Sequence, residues 1–203
     1  FEIKINEVEE PVLPELNEEF FAKFGVDAKD EEGFREDVKK NMERELKQAT
    51  SNKVKNDVVD GLLEVNDFEV PQSLIDQEID RLRQDAVQRF GGQMDPKQLP
   101  AELFTDQAKR RVKTGLLFQE LIRQNDIKAE ADKVEEKIQE IASTYESPEE
   151  VVAHYNSNPE QKAQIESVVL EDSVVEFVLS QAKVKDKKMK YEEAVQAGQP
   201  QQG

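Results

Sequence analysis

Apolar positions in this chain change period once. Over residues 1–8, Phe1, Ile3 and Ile5 alternate with polar residues, the period of a half-buried strand. Such a strand is not stable alone, so it is expected to be the trailing strand of an upstream domain. Pro11 and Pro14 then punctuate a linker. Everything beyond reads as helix. A short helix is expected over 14–24, ending at Gly25. A very long one follows over 30–66, with apolar positions Phe34, Val38, Met42, Leu46, Ala49, Val54, Val58, Leu62 and Val65. The five-residue step from Ala49 to Val54 slips the stripe and marks a candidate bend.

Five more helical segments complete the pattern. Residues 71–90 carry Ile75, Ile79, Leu82, Ala86 and Phe90 and stop at Gly91-Gly92. Residues 100–125 open at Pro100, suited to a first helical turn. Residues 130–145 carry Val134, Ile138, Ile141 and Tyr145. Ser147-Pro148 and Asn158-Pro159 open helices over 148–156 and 159–182. The final QAGQPQQG is low in complexity, and 191–203 is expected to be a flexible tail. One device recurs: Leu62-Leu63-Glu64-Val65-Asn66-Asp67-Phe68 resembles Leu121-Ile122-Arg123-Gln124-Asn125-Asp126-Ile127, with a weaker copy ending at Val184. Each ends a helix near Asn or Ala and places an apolar residue two positions on, and Asn tolerates the left-handed conformation that ends a helix.

Composition narrows the function. Of 203 residues, 45 are acidic and 28 basic, a formal net charge of -17. That field opposes nucleic acid and anionic membranes. No apolar run reaches the ~20 residues of a membrane helix. The absence of cysteine excludes disulfides, thiolate metal sites and cysteine nucleophiles, and one histidine, His154, excludes multi-histidine centres. Most of the many acidic residues have Lys or Arg within four residues, and the carboxylate pairs read as solvated faces. Gly91-Gly92 lacks a phosphate-loop continuation. The Lys109-Arg110-Arg111 and Lys113 cluster reads as pairing with acidic helices. No catalytic, cofactor or metal residue is assigned. What remains is apolar supply. Phe34, Val38, Met42 and Leu46 form one stripe; Ile138, Ile141, Tyr145, Val151, Val152 and Tyr155 cluster about one turn. These stripes either pack on each other or stay exposed as a protein-binding surface.

Runs along the chain resemble the C-terminal domain of the bacterial trigger factor family. They are Leu13-Pro14-Glu15-Leu16, Phe24-Gly25-Val26, Asn41-Met42-Glu43-Arg44-Glu45-Leu46, Gln88-Arg89-Phe90-Gly91-Gly92, Gln107-Ala108-Lys109-Arg110-Arg111-Val112 and Tyr145-Glu146-Ser147-Pro148-Glu149-Glu150-Val151. Their order and spacing match over roughly residues 11–190. The resemblance implies an all-α, elongated body with projecting helical arms, similar to the peptide-binding domain of the periplasmic chaperone SurA. It implies residues 1–10 as the last strand of an FKBP-like prolyl isomerase domain, 11–190 as the chaperone domain and 191–203 as the tail.

It also implies an ATP-independent, ribosome-associated cytoplasmic chaperone that holds unfolded or nascent polypeptides. Ribosome docking and isomerase activity would belong to other domains of the parent protein, and a homodimer is a further expectation. The client-binding candidates are Met42, Leu46, Val54, Ile141, Tyr145, Val151 and Tyr155. The competing expectation is a helical scaffold that docks one folded partner.

Overall fold

The structure, a computed structural model, describes residues 7, 10, 14–26, 28–92, 94–145 and 147–199. The expected strand at 1–8 lies, but for position 7, outside the described residues. Among those described the fold is all-α, with no strand. In chain order the helices are α1 (Glu18–Lys23), α2 (Glu31–Val65), α3 (Gln72–Arg89), α4 (Thr105–Asn125), α5 (Ala131–Ala142), α6 (Pro148–Ser157), α7 (Pro159–Gln181) and α8 (Tyr191–Ala197). Two short 3-10 turns, Pro96–Gln98 and Ala101–Leu103, precede α4.

The chain forms two compact units, residues 1–53 with 188–203, and residues 54–187. The division falls inside α2, which stays helical through the stripe slip at Thr50–Lys53. The slip therefore marks a change of packing partners and does not break the helix. At about 1.5 Å per residue, its 35 residues rise roughly 52 Å.

In the first unit, Asn17 caps α1, its side-chain oxygen accepting from the Phe20 amide at 2.9 Å. Gly25, with φ 69°, ends the helix. Its amide donates to the Ala22 carbonyl at 3.0 Å, and the Val26 amide donates to Phe21 at 3.2 Å. This pair of bonds needs a left-handed residue between them, which glycine adopts without Cβ strain. The turn folds Val26 back on Phe21, and the two form a small core with Ala28, flanked by Phe20 and Phe34. Phe21 stacks on Phe34 with ring centroids 4.6 Å apart.

The second unit has three separate small cores. Val58 and Val59 of α2, Phe118 of α4 and Val174 and Val175 of α7 form one. Ile75, Ile79 and Leu82 of α3 pack on Ala108 of α4 in the second, with Val70 and Phe104 at its edge. The third joins Val134 and Ile138 of α5 to Ile165 and Val169 of α7. The basic cluster on α4 pairs as expected: Arg110 with Asp60 at 2.5 Å, Arg111 with Glu78 at 3.2 Å and Lys113 with Asp67 at 3.3 Å.

Three expectations need correction. Residues 191–197, expected within a flexible tail, form α8. Ser147 sits at the N-cap of α6 without a side-chain cap bond, whereas Asn158 does cap α7, accepting from the Gln161 amide at 3.3 Å. In the second copy of the recurring helix end the left-handed residue is Asp126 (φ 51°), not an asparagine, and neither Asn66 nor Asp67 of the first copy has a positive φ. Asn66 and Asn125 act through their side-chain amides, which donate to the Leu62 and Leu121 carbonyls, each at 2.9 Å. The Leu62 carbonyl also accepts from the Asn66 backbone amide at 3.1 Å, so the side chain adds a second bond to it. The weak third copy does not share the device, since Ala182 is extended there and Val184 is exposed.

Candidate functional site

The four-residue spacing of Phe34, Val38, Met42 and Leu46 sets them on one side of α2. Each step of four overshoots a full turn by about 40°, so the stripe winds slowly as it rises about 18 Å. In the first unit this stripe forms the floor of an open apolar groove of about 800 Å³. Leu16, Phe20 and Phe24 close one part of it, and Tyr191 of α8 adds a further wall. Phe24 is 64% exposed and Met42 42% exposed, so large apolar side chains face solvent there. The Phe20 and Phe24 rings lie 4.9 Å apart, and Phe24 meets Phe34 edge-on at 6.0 Å. Aromatic pairs in such geometry hold one another in place beyond their area burial.

The groove's charged edge is paired within α2. Arg35 donates from Nε to Glu31 Oε1 at 2.8 Å, and Lys39 lies 3.8 Å from Glu43. Both are exposed pairs one helical turn apart, so they contribute little to stability. Their effect is that two cations and two anions balance at the edge. The groove thus offers apolar surface and no unpaired charge of its own. At the α8 wall, the Tyr191 hydroxyl donates to the Glu45 carboxylate. That hydrogen bond, with added burial and the charges of Glu45 and Glu192, holds the phenol above its ordinary range.

The sequence-based candidates separate by position. Met42 and Leu46 line the groove. Val54, on the same helix, is half-buried against the Val58–Val59–Phe118 core of the second unit. Ile141 and Tyr155 pack against the α5–α7 core, as does Val152. Val151 is half-buried, and Tyr145 stands 57% exposed just beyond α5. The structure brings Ile141 and Tyr155 to one core and leaves Tyr145 outside it. Leu16, Phe20, Phe24 and Tyr191 are groove residues that pattern reading did not single out. Phe20, Phe21 and Phe24 put three of the ten phenylalanines within five residues, a signal that was available. Tyr191 carries no such signal, because its short segment predicts a tail.

Among the described residues no cluster of three or more His, Asp or Glu side chains is placed to hold a metal ion. No helix among them is long and apolar enough to cross a membrane.

Comparison with known proteins gives one answer. Residues 32–180 match the family described as bacterial trigger factor protein C-terminus. The chain is 76% identical over 201 residues to a trigger factor of Marinobacter nauticus, covering 99% of this chain and 46% of that protein. It is 56% identical to the trigger factor of Hahella chejuensis over 196 residues, covering 96% of this chain and 44% of the relative. It is also 56% identical to that of Pseudomonas fluorescens SBW25 over 202 residues, 46% of the relative's length. The chain spans a little under half the length of these relatives. With most of its length matched to the family and identities of this size, the chain belongs to the bacterial trigger factor C-terminal family.

Proposed function

We propose that this chain is the substrate-holding part of a chaperone that binds apolar stretches of unfolded or nascent polypeptide without nucleotide. The observation that carries the reading is the open groove of Phe20, Phe24, Phe34, Val38, Met42 and Leu46 with its internally balanced edge. Its floor of about 18 Å matches an extended segment of roughly five residues at about 3.4 Å each. An incoming apolar side chain would gain up to about 1.5–3 kcal/mol if fully buried there. Met42 and the phenylalanines suit varied clients, because a flexible thioether and open aromatic faces accept many shapes.

One such site is weak. Further exposed apolar residues offer additional points of contact: Tyr145, 57% exposed, and Phe90, 87% exposed at the end of α3. Several weak sites engaged by one long client gain through effective concentration, and release then needs only successive loss of single contacts. The reading assigns no bond-making step to these residues. It places the parent protein in the cytoplasm, where nascent chains emerge. Ribosome docking and self-association of the parent protein belong to the same reading.

The reading is tested by titrating the chain with a permanently unfolded polypeptide and, in parallel, with a folded protein of the same size. Binding of the unfolded chain alone, weakened by Met42→Ser, supports it. Saturable one-to-one binding of a folded partner, with indifference to unfolded chains, would instead establish a docking scaffold.

A further inference from the structure

Tyr191 differs from every other residue lining the groove: the rest lie between positions 16 and 46, and it alone arrives from the far end of the chain. Its helix is fastened to α2 at both ends. At the start, the Tyr191 hydroxyl donates to Glu45. At the end, Gly198 sits on the α2 backbone so closely that a Cβ built there would lie 2.2 Å from the Ala49 carbonyl oxygen. Glu45 and Ala49 are one turn apart on α2, and Met42 and Leu46 of the groove floor lie beside them in sequence. Gly198 is buried and Ala49 is 7% exposed, so this end of α8 is seated and not merely adjacent.

Two further features bear on what this fastening does. With seven residues, α8 is too short to persist as an isolated helix in water. It is helical because it is docked, so undocking and unwinding are one event. The residues before it, 183–190, have no secondary structure, are exposed and carry Lys183, Lys185, Lys187, Lys188 and Lys190. A solvated tether followed by a short docked helix is the arrangement of a strap.

We propose that α8 is a detachable wall of the groove, and that Tyr191 is a positioning residue whose docking sets how tightly the groove holds an apolar segment. This inference rests on the client-holding reading above. In the docked state the Tyr191 ring adds apolar surface opposite the α2 stripe, and a bound segment is covered on a further side. In the undocked state that surface is gone, and the segment faces water. Bound client and docked α8 therefore favour each other, as two ligands of one conformation must.

The test uses the full chain, a labelled reduced and carboxymethylated globular protein as the unfolded probe, and amide hydrogen exchange at 191–197 as the readout of docking. Gly198→Val places a branched side chain on the Ala49 backbone and is expected to remove exchange protection at 191–197. It is also expected to weaken probe binding about five- to tenfold, the scale of one lost apolar contact. Tyr191→Ala should weaken binding similarly. Tyr191→Phe keeps the ring and loses the Glu45 bond, so it should fall between Tyr191→Ala and the parent. Probe binding by the parent chain should also raise protection at 191–197, which a purely structural helix would not show.

Met42→Ser, on the groove floor, separates the two ideas. If Met42→Ser weakens binding while Gly198→Val releases α8 without changing affinity, the wall is refuted and the groove stands. If Gly198→Val tightens binding, α8 occludes the groove and the proposal is reversed. If neither the parent nor any variant binds the probe, the client-holding reading fails and takes this inference with it.

Discussion

At the scale of single residues, Phe21 fixes the first unit. It is 1% exposed, stacks on Phe34, and receives Val26 through the turn at Gly25. Phe21→Ala should destabilise this unit by about 3–5 kcal/mol, the range for a buried aromatic truncated in place. Denaturant unfolding followed by near-ultraviolet absorbance of the aromatic cluster would measure it. Phe24, 64% exposed, contributes mainly to the groove, so Phe24→Ala should cost under about 1.5 kcal/mol in stability and show its effect in client binding.

Tyr191 gives a residue-scale prediction with a definite sign. Its pKa is raised in the folded state, chiefly by the bond to Glu45, so the folded chain keeps the phenolic proton longer than the unfolded one. The stabilisation is therefore complete below the ordinary tyrosine value of about 10 and is lost as pH rises through the raised value. The chain has three tyrosines and no tryptophan, so tyrosinate absorbance follows the titration directly. Tyr191 should titrate late, and Glu45→Gln should lower its midpoint. A Tyr191 midpoint that Glu45→Gln leaves unmoved would contradict the placement of α8.

At the scale of elements, packing outweighs pairing. The interface of α5 and α7 holds both a core residue and an ion pair, Ile138 at 0% exposed and Lys133–Glu176 at 2.6 Å. Glu176 keeps Lys133 charged above its usual range, yet both side chains reach solvent, so the pair is screened. Ile138→Ala is expected to cost about 2–5 kcal/mol, against under about 1 kcal/mol for Lys133→Met. Thermal melts of the two variants decide this, and equal losses would contradict it. The helix-end device makes a smaller claim. Asn125→Ala removes the bond to the Leu121 carbonyl and should cost about 0.5–1.5 kcal/mol, with Asn66→Ala losing a similar amount.

The elements were legible in the sequence because their signals are local. Gly25, Gly91, Pro148 and Asn158-Pro159 mark helix ends by backbone chemistry that needs no tertiary context, and α2 to α7 begin and end close to where those signals place them. The candidate site was only partly legible. Met42 and Val54 belong to one apolar stripe, yet Met42 lines a groove and Val54 supports a core. Periodicity tells which residues share a face and not what covers that face. Ile141 and Tyr155 illustrate the same limit, since both meet the α5–α7 core. The helix α8 was illegible for a different reason. Its seven residues offer Tyr191, Ala194, Val195 and Ala197 as partly buried positions, too little to sustain a helix without the α2 surface beneath them.

At the scale of the whole molecule, a net charge of -17 surrounds small, separate apolar cores. That charge opposes non-specific association through exposed apolar side chains such as Phe24 and Phe90. Under the proposed function it would also select among clients. A basic unfolded chain gains attraction that salt removes, while an acidic one is repelled until salt screens the field over about 8–10 Å. Raising ionic strength should therefore weaken binding of a basic client and strengthen that of an acidic one, with an uncharged apolar client nearly unaffected. A steep salt dependence for the uncharged client would show that charge, and not the groove, holds it.

The central claim is that the α2 stripe and its aromatic neighbours hold unfolded polypeptide. The most direct measurement is an NMR titration of the labelled chain with a permanently unfolded, nucleotide-free client, run alongside Met42→Ser. Perturbations should gather on Phe20, Phe24, Phe34, Val38, Met42, Leu46 and Tyr191, saturate together, and require more client in the variant. A titration that leaves these residues unmoved at saturating client, or that Met42→Ser does not alter, would contradict it.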